Sequence, residues 1–202
     1  MSNTSGPSRD GRFTWRTIDI VLAATLAVAF GVVFWAWGFV WEGIEAALVF
    51  YPPLKAIVYG LWLMPAVLAP LIIRKPGAAL FTEGLASTVS ALLGSFWGIA
   101  VVWQGLAQGL AGEVAFASAR YRRFGMPVAL VAGTLTGLTA AIWDCVVYYN
   151  TLSLVAYQIP YVVIGTVSCV LIAGAGSHLL TKALANTGVL DRFGPGRERA
   201  RV

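Results

Sequence analysis

The residues best suited to chemistry lie in the apolar stretch "GAALFTEGLASTVSALLGSFWG". Glu83, Ser87, Ser90 and Gly94 follow one another there at i, i+4, i+7 and i+11, which puts them on one face if the stretch is helical. Further along, Gln104 and Gln108 are i, i+4 neighbours with Trp97 and Trp103 beside them. Asp144 and Tyr148 end a stripe that begins Gly133, Gly137, Ala140. Tyr157, Tyr161, Gly165 and Ser168 form a comparable stripe. Carboxylates and amides among aromatic rings suit recognition of a flat heterocycle carrying an amino group or a positive charge. The carboxylate accepts charge-assisted hydrogen bonds, and the rings stack and supply cation–π attraction. The same residue types also fasten helices together, and both readings of Glu83, Gln104 and Gln108 are open at this level.

Reaction chemistry is not indicated. The sequence has no phosphate-binding G-x-x-x-x-G-K-[ST] loop, no H-E-x-x-H and no Gly-x-Ser-x-Gly elbow. A single histidine, His178, leaves no Cys/His metal set. Cys145 and Cys169 sit in apolar runs without a CxxC and read as small buried hydrophobes. We therefore expect no enzyme activity, no cofactor and no metal.

The elements that must hold these residues are membrane spans. The chain is 58% hydrophobic and 11% charged over 202 residues, with a mean hydropathy of +0.77, far from the quarter-charged composition of soluble domains. A span needs about 20 apolar residues, and lipid leaves the backbone no partner but itself, so spans are helices. Six are expected, near Ile18–Phe39, Leu54–Ile73, Gly77–Gly94, Trp97–Ala119, Met126–Tyr149 and Tyr157–Leu180. The organisation expected is a flexible tail over 1–16, a six-helix transmembrane domain over 17–182 and a basic tail over 183–202. No A-x-A-like site marks a cleaved signal peptide.

Charge orients the bundle. Arg9, Arg12 and Arg16, Arg74 and Lys75, Arg120, Arg122 and Arg123, and then Lys182, Arg192, Arg197, Arg199 and Arg201 all fall on one side of six spans. Lys55 alone falls on the other, with Glu42 and Glu45. The positive-inside rule places both termini in the cytoplasm. The net charge of +5 then marks topology and anionic-lipid contact rather than nucleic acid. The first outer loop, "VWEGIEAALVFYPP", is expected to be long, and Trp and Tyr gather at all three outer loops, as an aromatic belt or as the mouth of a ligand pocket. Asp19 and His178 read as interfacial, and Glu113 as structural or partner-facing. Ala23, Ala27 and Gly31 form a small-xxx-small stripe that packs within the bundle or against another protein.

These features resemble the substrate-binding S component of an energy-coupling factor (ECF) vitamin transporter. The blocks "IIRKPGAALFTEGLASTVSALLGSFWG" and "WQGLAQGLAGEVAFASARYRRFG" resemble the YkoE family, associated with thiamine and its hydroxymethylpyrimidine precursor. The resemblance implies an S-component-like bundle in a prokaryotic cell membrane that captures such a ligand from outside. A transmembrane coupling (T) subunit and ATPase (A) subunits would supply the energy, which accounts for the missing phosphate loop. It also implies that Ala23, Ala27 and Gly31 dock on the coupling subunit. Thiamine-binding S components of the ThiT type place a glutamate against the aminopyrimidine within a similar Glu-x-Leu-Ala pattern, here Glu83-Gly84-Leu85-Ala86. Their fifth-span histidine has no counterpart in this chain. The expected substrate contacts are Glu83, Ser87, Trp97, Gln104, Gln108, Asp144, Tyr148 and Tyr161. The competing expectation is a self-sufficient proton-coupled transporter with Glu83, Glu113 and Asp144 as its relay.

Overall fold

A computed structural model describes residues 13–199. The tail residues 1–12, with Arg9 and Arg12, and residues 200–202, with Arg201, lie outside the described residues. Long helices dominate: α1 (Thr17–Ala47), α2 (Pro52–Ile73), α3 (Ala78–Leu92), α4 (Ala100–Ser118), α5 (Met126–Val147) and α6 (Leu154–Asn186), followed by the short α7 (Gly194–Arg199). No strand occurs among the described residues. Of these helices, α1, α2, α5 and α6 are long and apolar enough to cross a membrane. α3 is apolar but, at 15 residues, reaches only about 23 Å at 1.5 Å per residue. Gln104, Gln108 and Glu113 lower the hydropathy of α4.

α3 packs between α1 and α4, α4 on α5, and α5 on α6, with α2 enclosed among them. Every residue from Pro65 to Ile73 in α2 is buried. The first half of α2, Pro52–Leu63, is wound as a 3₁₀-helix and the second half as an α-helix. Pro65 falls at the second position of the α-helical half, where its missing N–H costs nothing. α6 steadies the tighter half: Ser168 Oγ accepts from Gly60 N–H at 3.1 Å and donates to Ile57 O at 2.6 Å. Within α6, Leu154–Gln158 and Val170–Gly176 widen to π-helix. At the second of these a Cβ on Gly133 would come 2.7 Å from Cys169 O. The small stripe of α5 is thus a helix-packing surface over Gly133 and Gly137.

Several expectations change. The stretch read as a long first outer loop is mostly helix, because α1 continues to Ala47 and leaves only a short turn before α2. Trp97 lies in the turn ahead of α4 rather than in the helix. Residues 13–16 are held, not loose: Trp15 Nε1 donates to Pro76 O at 2.9 Å, and Lys75 donates to Thr14 O. The end of the chain also returns to the bundle. Leu190 and Phe193 are buried beside Leu68 and Ile72, with Ile18 and Leu22 of α1 against the same cluster. The two described chain ends therefore meet at one end of the bundle. Asp19, fully buried at that end, accepts from Arg16 Nη2 at 2.8 Å and from Lys75 Nζ at 2.5 Å.

The stripe Ala23, Ala27, Gly31 is internal, and this corrects its expected docking role. All three residues are buried. Ala23 packs with Ala69, Ile73 and Ala78, and Ala27 with Ala86. A Cβ at Gly31 would lie 2.5 Å from Val89 Cβ and 2.8 Å from Ala86 O. Small side chains here let α1 and α3 approach closely, so in this arrangement they present no surface to a partner.

Candidate functional site

At the end of the bundle opposite Arg16 and Lys75, α1 to α5 enclose a cavity. Its walls are aromatic. Trp41 of α1 meets Tyr59 and Trp62 of α2 edge-on, with ring centroids 5.8 and 5.3 Å apart, and Trp62 meets Trp97 in the same way at 5.7 Å. Phe34, Val101, Tyr148 and Tyr149 complete the apolar lining. Edge-to-face pairs of this kind are favourable beyond their burial. Two indoles also tie α1 to α2: Trp37 donates to Val58 O at 3.0 Å, and Trp62 to Phe34 O at 3.2 Å.

The polar lining comes from Ser87, Ser90, Ser95, Gln104, Gln108 and Asp144. Asp144, 5% exposed, is the charged residue among the lining groups. Its Oδ1 accepts from Gln104 Nε2 at 2.8 Å and its Oδ2 from the Tyr161 hydroxyl at 2.6 Å. Gln104 Nε2 also donates to the Tyr59 hydroxyl at 2.8 Å. These donors compensate a carboxylate removed from water, as burial requires. The cavity has a volume of about 60 Å³, room for several waters.

Of the residues expected at a site, Ser87, Trp97, Gln104, Gln108, Asp144 and Tyr148 line this cavity. Tyr161 is fully buried and donates its hydroxyl to Asp144 without lining the cavity itself. Glu83 is not among the lining residues. It is fully buried one turn inward of Ser87, with Oε2 accepting from Ala66 N–H at 3.0 Å. Ala66 lies in the first turn of the α-helical half of α2, where amide groups favour a carboxylate. Glu83 Oε1 has no protein partner among the described residues. Glu113 is bound elsewhere: its carboxylate accepts from Gly77 N–H at 2.6 Å, Ala79 N–H at 3.0 Å and the Tyr121 hydroxyl at 2.5 Å. It caps the N-terminus of α3, and Gly77, at φ 87°, supplies the left-handed turn that aims those amides. Burial and the Glu113 carboxylate push the Tyr121 hydroxyl well above its ordinary pKa.

Trp41, Tyr59, Trp62 and Tyr149 were not singled out from sequence as site residues. Trp41 carried a signal: it continues the buried face Ala23, Ala27, Gly31, Phe34, Gly38 into the segment read as loop. Tyr59 and Trp62, three residues apart, share a face in the 3₁₀-helix, as they would in an α-helix. The described residues contain no group of three or more His, Cys, Asp or Glu side chains able to hold a metal ion.

The fold and the site can now be set beside known proteins. The profile of a family described as an ABC-type cobalt transport system permease component matches residues 18–139. Over 188 residues, 92% of each chain, the sequence is 32% identical to a Bacillus subtilis (strain 168) protein named as an HMP/thiamine permease protein, YkoE. The crystal structure of an S-component of an ECF transporter superposes with a TM-score of 0.87 at 32% identity, covering 93% of this chain and 94% of that one.

Proposed function

The chain belongs to the YkoE-like family of ECF S components, and from that premise we propose that it is the substrate-binding subunit of a vitamin importer for hydroxymethylpyrimidine or thiamine. In this reading it crosses the cell membrane of a prokaryote six times with both termini in the cytoplasm. It takes its ligand from outside and depends on a coupling subunit and ATPase subunits for energy.

The observation that carries the reading is the setting of Asp144. A buried carboxylate, fixed by Gln104 and Tyr161, faces a cavity walled by Trp41, Tyr59, Trp62 and Trp97. An aminopyrimidine ring stacks on such walls and donates its amino hydrogens to the carboxylate. Gln104 and Gln108 supply complementary donors and acceptors, with Ser87 and Tyr148 at the edge. Glu83 keeps a supporting place, since its free Oε1 lies one turn from Ser87. Organic recognition of this type fits the side chains better than metal cargo, because the cavity's only charged lining group is Asp144.

The proton-coupled reading is weaker. Glu83, Glu113 and Asp144 each hold separate partners, and among the described residues no hydrogen bond joins one carboxylate to the next. Calorimetric titration of the detergent-purified protein with thiamine, hydroxymethylpyrimidine, riboflavin and biotin tests the proposal. Tight binding of thiamine or the pyrimidine alone supports it. Binding of neither overturns it.

A further inference from the structure

The cations at the Arg16 and Lys75 end of the bundle gather at one place. A groove of about 940 Å³ opens there between the loop that joins α4 to α5, the last turns of α6 and α7. Arg74, Arg122, Lys182 and Arg199 line it, with His178 beside them and Glu198 as the carboxylate among the lining residues. Arg74 and Arg199 are held in place. Arg74 pairs with Glu198, Nη2 to Oε2 at 2.7 Å, donates from Nε to Leu71 O at 3.3 Å and lies over the Phe124 ring at 5.0 Å. Arg199 donates to Asn186 O at 2.6 Å, and its Nη2 lies 3.7 Å from Asp191 Oδ1. Arg122 and Lys182 are exposed. Among the described residues neither side chain has a hydrogen bond or an ion pair. With Glu198 set against Arg74 and Asp191 against Arg199, these two positive charges stay uncompensated in the groove.

The surroundings narrow the kind of anion that fits. The Tyr121 hydroxyl, also at the groove, is already given to Glu113, so charge recognition falls to the cations. A guanidinium binds phosphate oxygens in pairs, and an ammonium binds them as a point charge. Apolar side chains continue from the groove along both helices and are exposed: Leu179 and Leu171 on α6, and Val131 in the second turn of α5. Leu179 stands three residues before Lys182, on the same helix face. Exposed apolar faces of spanning helices are covered by lipid tails, so a phospholipid finds partners for its headgroup and its tails side by side. A free phosphate ester uses only the first of these. Basic pockets between spanning helices on the cytoplasmic side take anionic lipid headgroups in this way. Resting on the six-span orientation proposed above, which puts this end in the cytoplasm, we infer that the groove is a binding site for the phosphodiester headgroup of an anionic phospholipid of the inner leaflet, with Arg122 and Lys182 as its charge contacts.

The test uses the full chain, purified in detergent, as wild type, as the double variant Arg122→Gln with Lys182→Gln, and as a control, Arg192→Gln with Arg197→Gln. The control removes the same charge from exposed positions at the same end that do not line the groove. Native mass spectrometry then measures retention of phosphatidylglycerol, of zwitterionic phosphatidylcholine and of free glycerol 1-phosphate. In the wild type, phosphatidylglycerol is retained in preference to the other two. The groove variant loses about thirty-fold in phosphatidylglycerol affinity, the scale of two cations at an anionic membrane surface, and the control stays within about two-fold of the wild type. Equal retention of the two lipids by the wild type overturns the inference. So does an equal loss in the control, which would mean diffuse attraction without a site. Glycerol 1-phosphate held as tightly as the lipid overturns the assignment to a phospholipid. Arg122 and Lys182 have no partners to lose, so melting without lipid is unchanged in the groove variant. If it does not fold, Arg122→Gln and Lys182→Gln singly decide, each with about a five-fold loss expected. None of these residues lines the aromatic cavity, so vitamin titration of the same proteins reports on the binding proposal separately.

Discussion

Tyr161 donates its hydroxyl to Asp144 Oδ2 across 2.6 Å, and both side chains are buried. Together with Gln104 on Oδ1, this bond fixes the carboxylate plane against the cavity. Asp144→Asn preserves the shape but replaces one acceptor oxygen by a donor. Its loss of a charge-assisted hydrogen bond is worth about 1.5–3 kcal/mol, so ligand affinity falls about ten- to a hundred-fold. Tyr161→Phe leaves the charge in place and removes one orienting donor, so its loss is several-fold. Titration calorimetry on both variants checks this order. Wild-type affinity in a folded Asp144→Asn protein would make the carboxylate architectural.

Glu83 offers the direct comparison. It is bonded to Ala66 N–H and sits one turn behind the cavity lining. Glu83→Gln retains a carbonyl oxygen for that amide. We expect it to weaken the ligand by less than Asp144→Asn does, by about three-fold or below, and to lower thermal stability by about 1 kcal/mol. The reverse order, with Glu83→Gln the more damaging to binding, would return the anchor to Glu83, where the Glu-x-Leu-Ala pattern had placed it.

The contrast between these two carboxylates shows how far the sequence could be read. Helical periodicity places Glu83 and Ser87 on one buried face, and both are buried on the inner side of α3. It also pairs Gln104 with Gln108, which line the same cavity. What periodicity cannot supply is depth along the helix relative to a neighbour. Glu83 and Ser87 differ by one turn, and that turn decides which of them reaches the cavity. The 3₁₀ winding of Pro52–Leu63 was equally hidden, because it depends on Ser168 holding Ile57 and Gly60 from another helix. The Ala23, Ala27, Gly31 stripe was legible as a close-packing surface. Its partner was not, because small residues fit a helix of the same chain as readily as one from another protein.

Gly31 provides a test of that packing. A Cβ there meets Val89 Cβ and Ala86 O at under 3 Å. Gly31→Leu must part α1 from α3 or shift backbone, and overpacking of this sort costs about 1–3 kcal/mol or more. Thr25→Leu, on the exposed side of the same helix, serves as the control and leaves the melting temperature within a few degrees. Melting curves in detergent distinguish the two. A Gly31→Leu protein that melts like the wild type but loses its coupling subunit would restore the docking role.

Glu113 separates architecture from transport. Its carboxylate gathers the N–H groups of Gly77 and Ala79 and the hydroxyl of Tyr121, and so joins α4 and the following loop to the start of α3. Glu113→Ala strips the cap and leaves the first amides of α3 without it, at about 1–2 kcal/mol. Tyr121→Phe costs about 1 kcal/mol, the scale of one hydrogen bond. Neither change reaches the cavity, which Glu113 and Tyr121 do not line, so ligand affinity stays within about two-fold while the melting temperature drops. A proton relay through Glu113 requires a different result. The wild type alone in liposomes would then accumulate ligand under a pH gradient, and Glu113→Gln would abolish that accumulation with the fold intact. We expect no accumulation without coupling and ATPase subunits. With them, we expect ATP-dependent uptake that survives Glu113→Gln, because the amide oxygen still accepts from an α3 N–H.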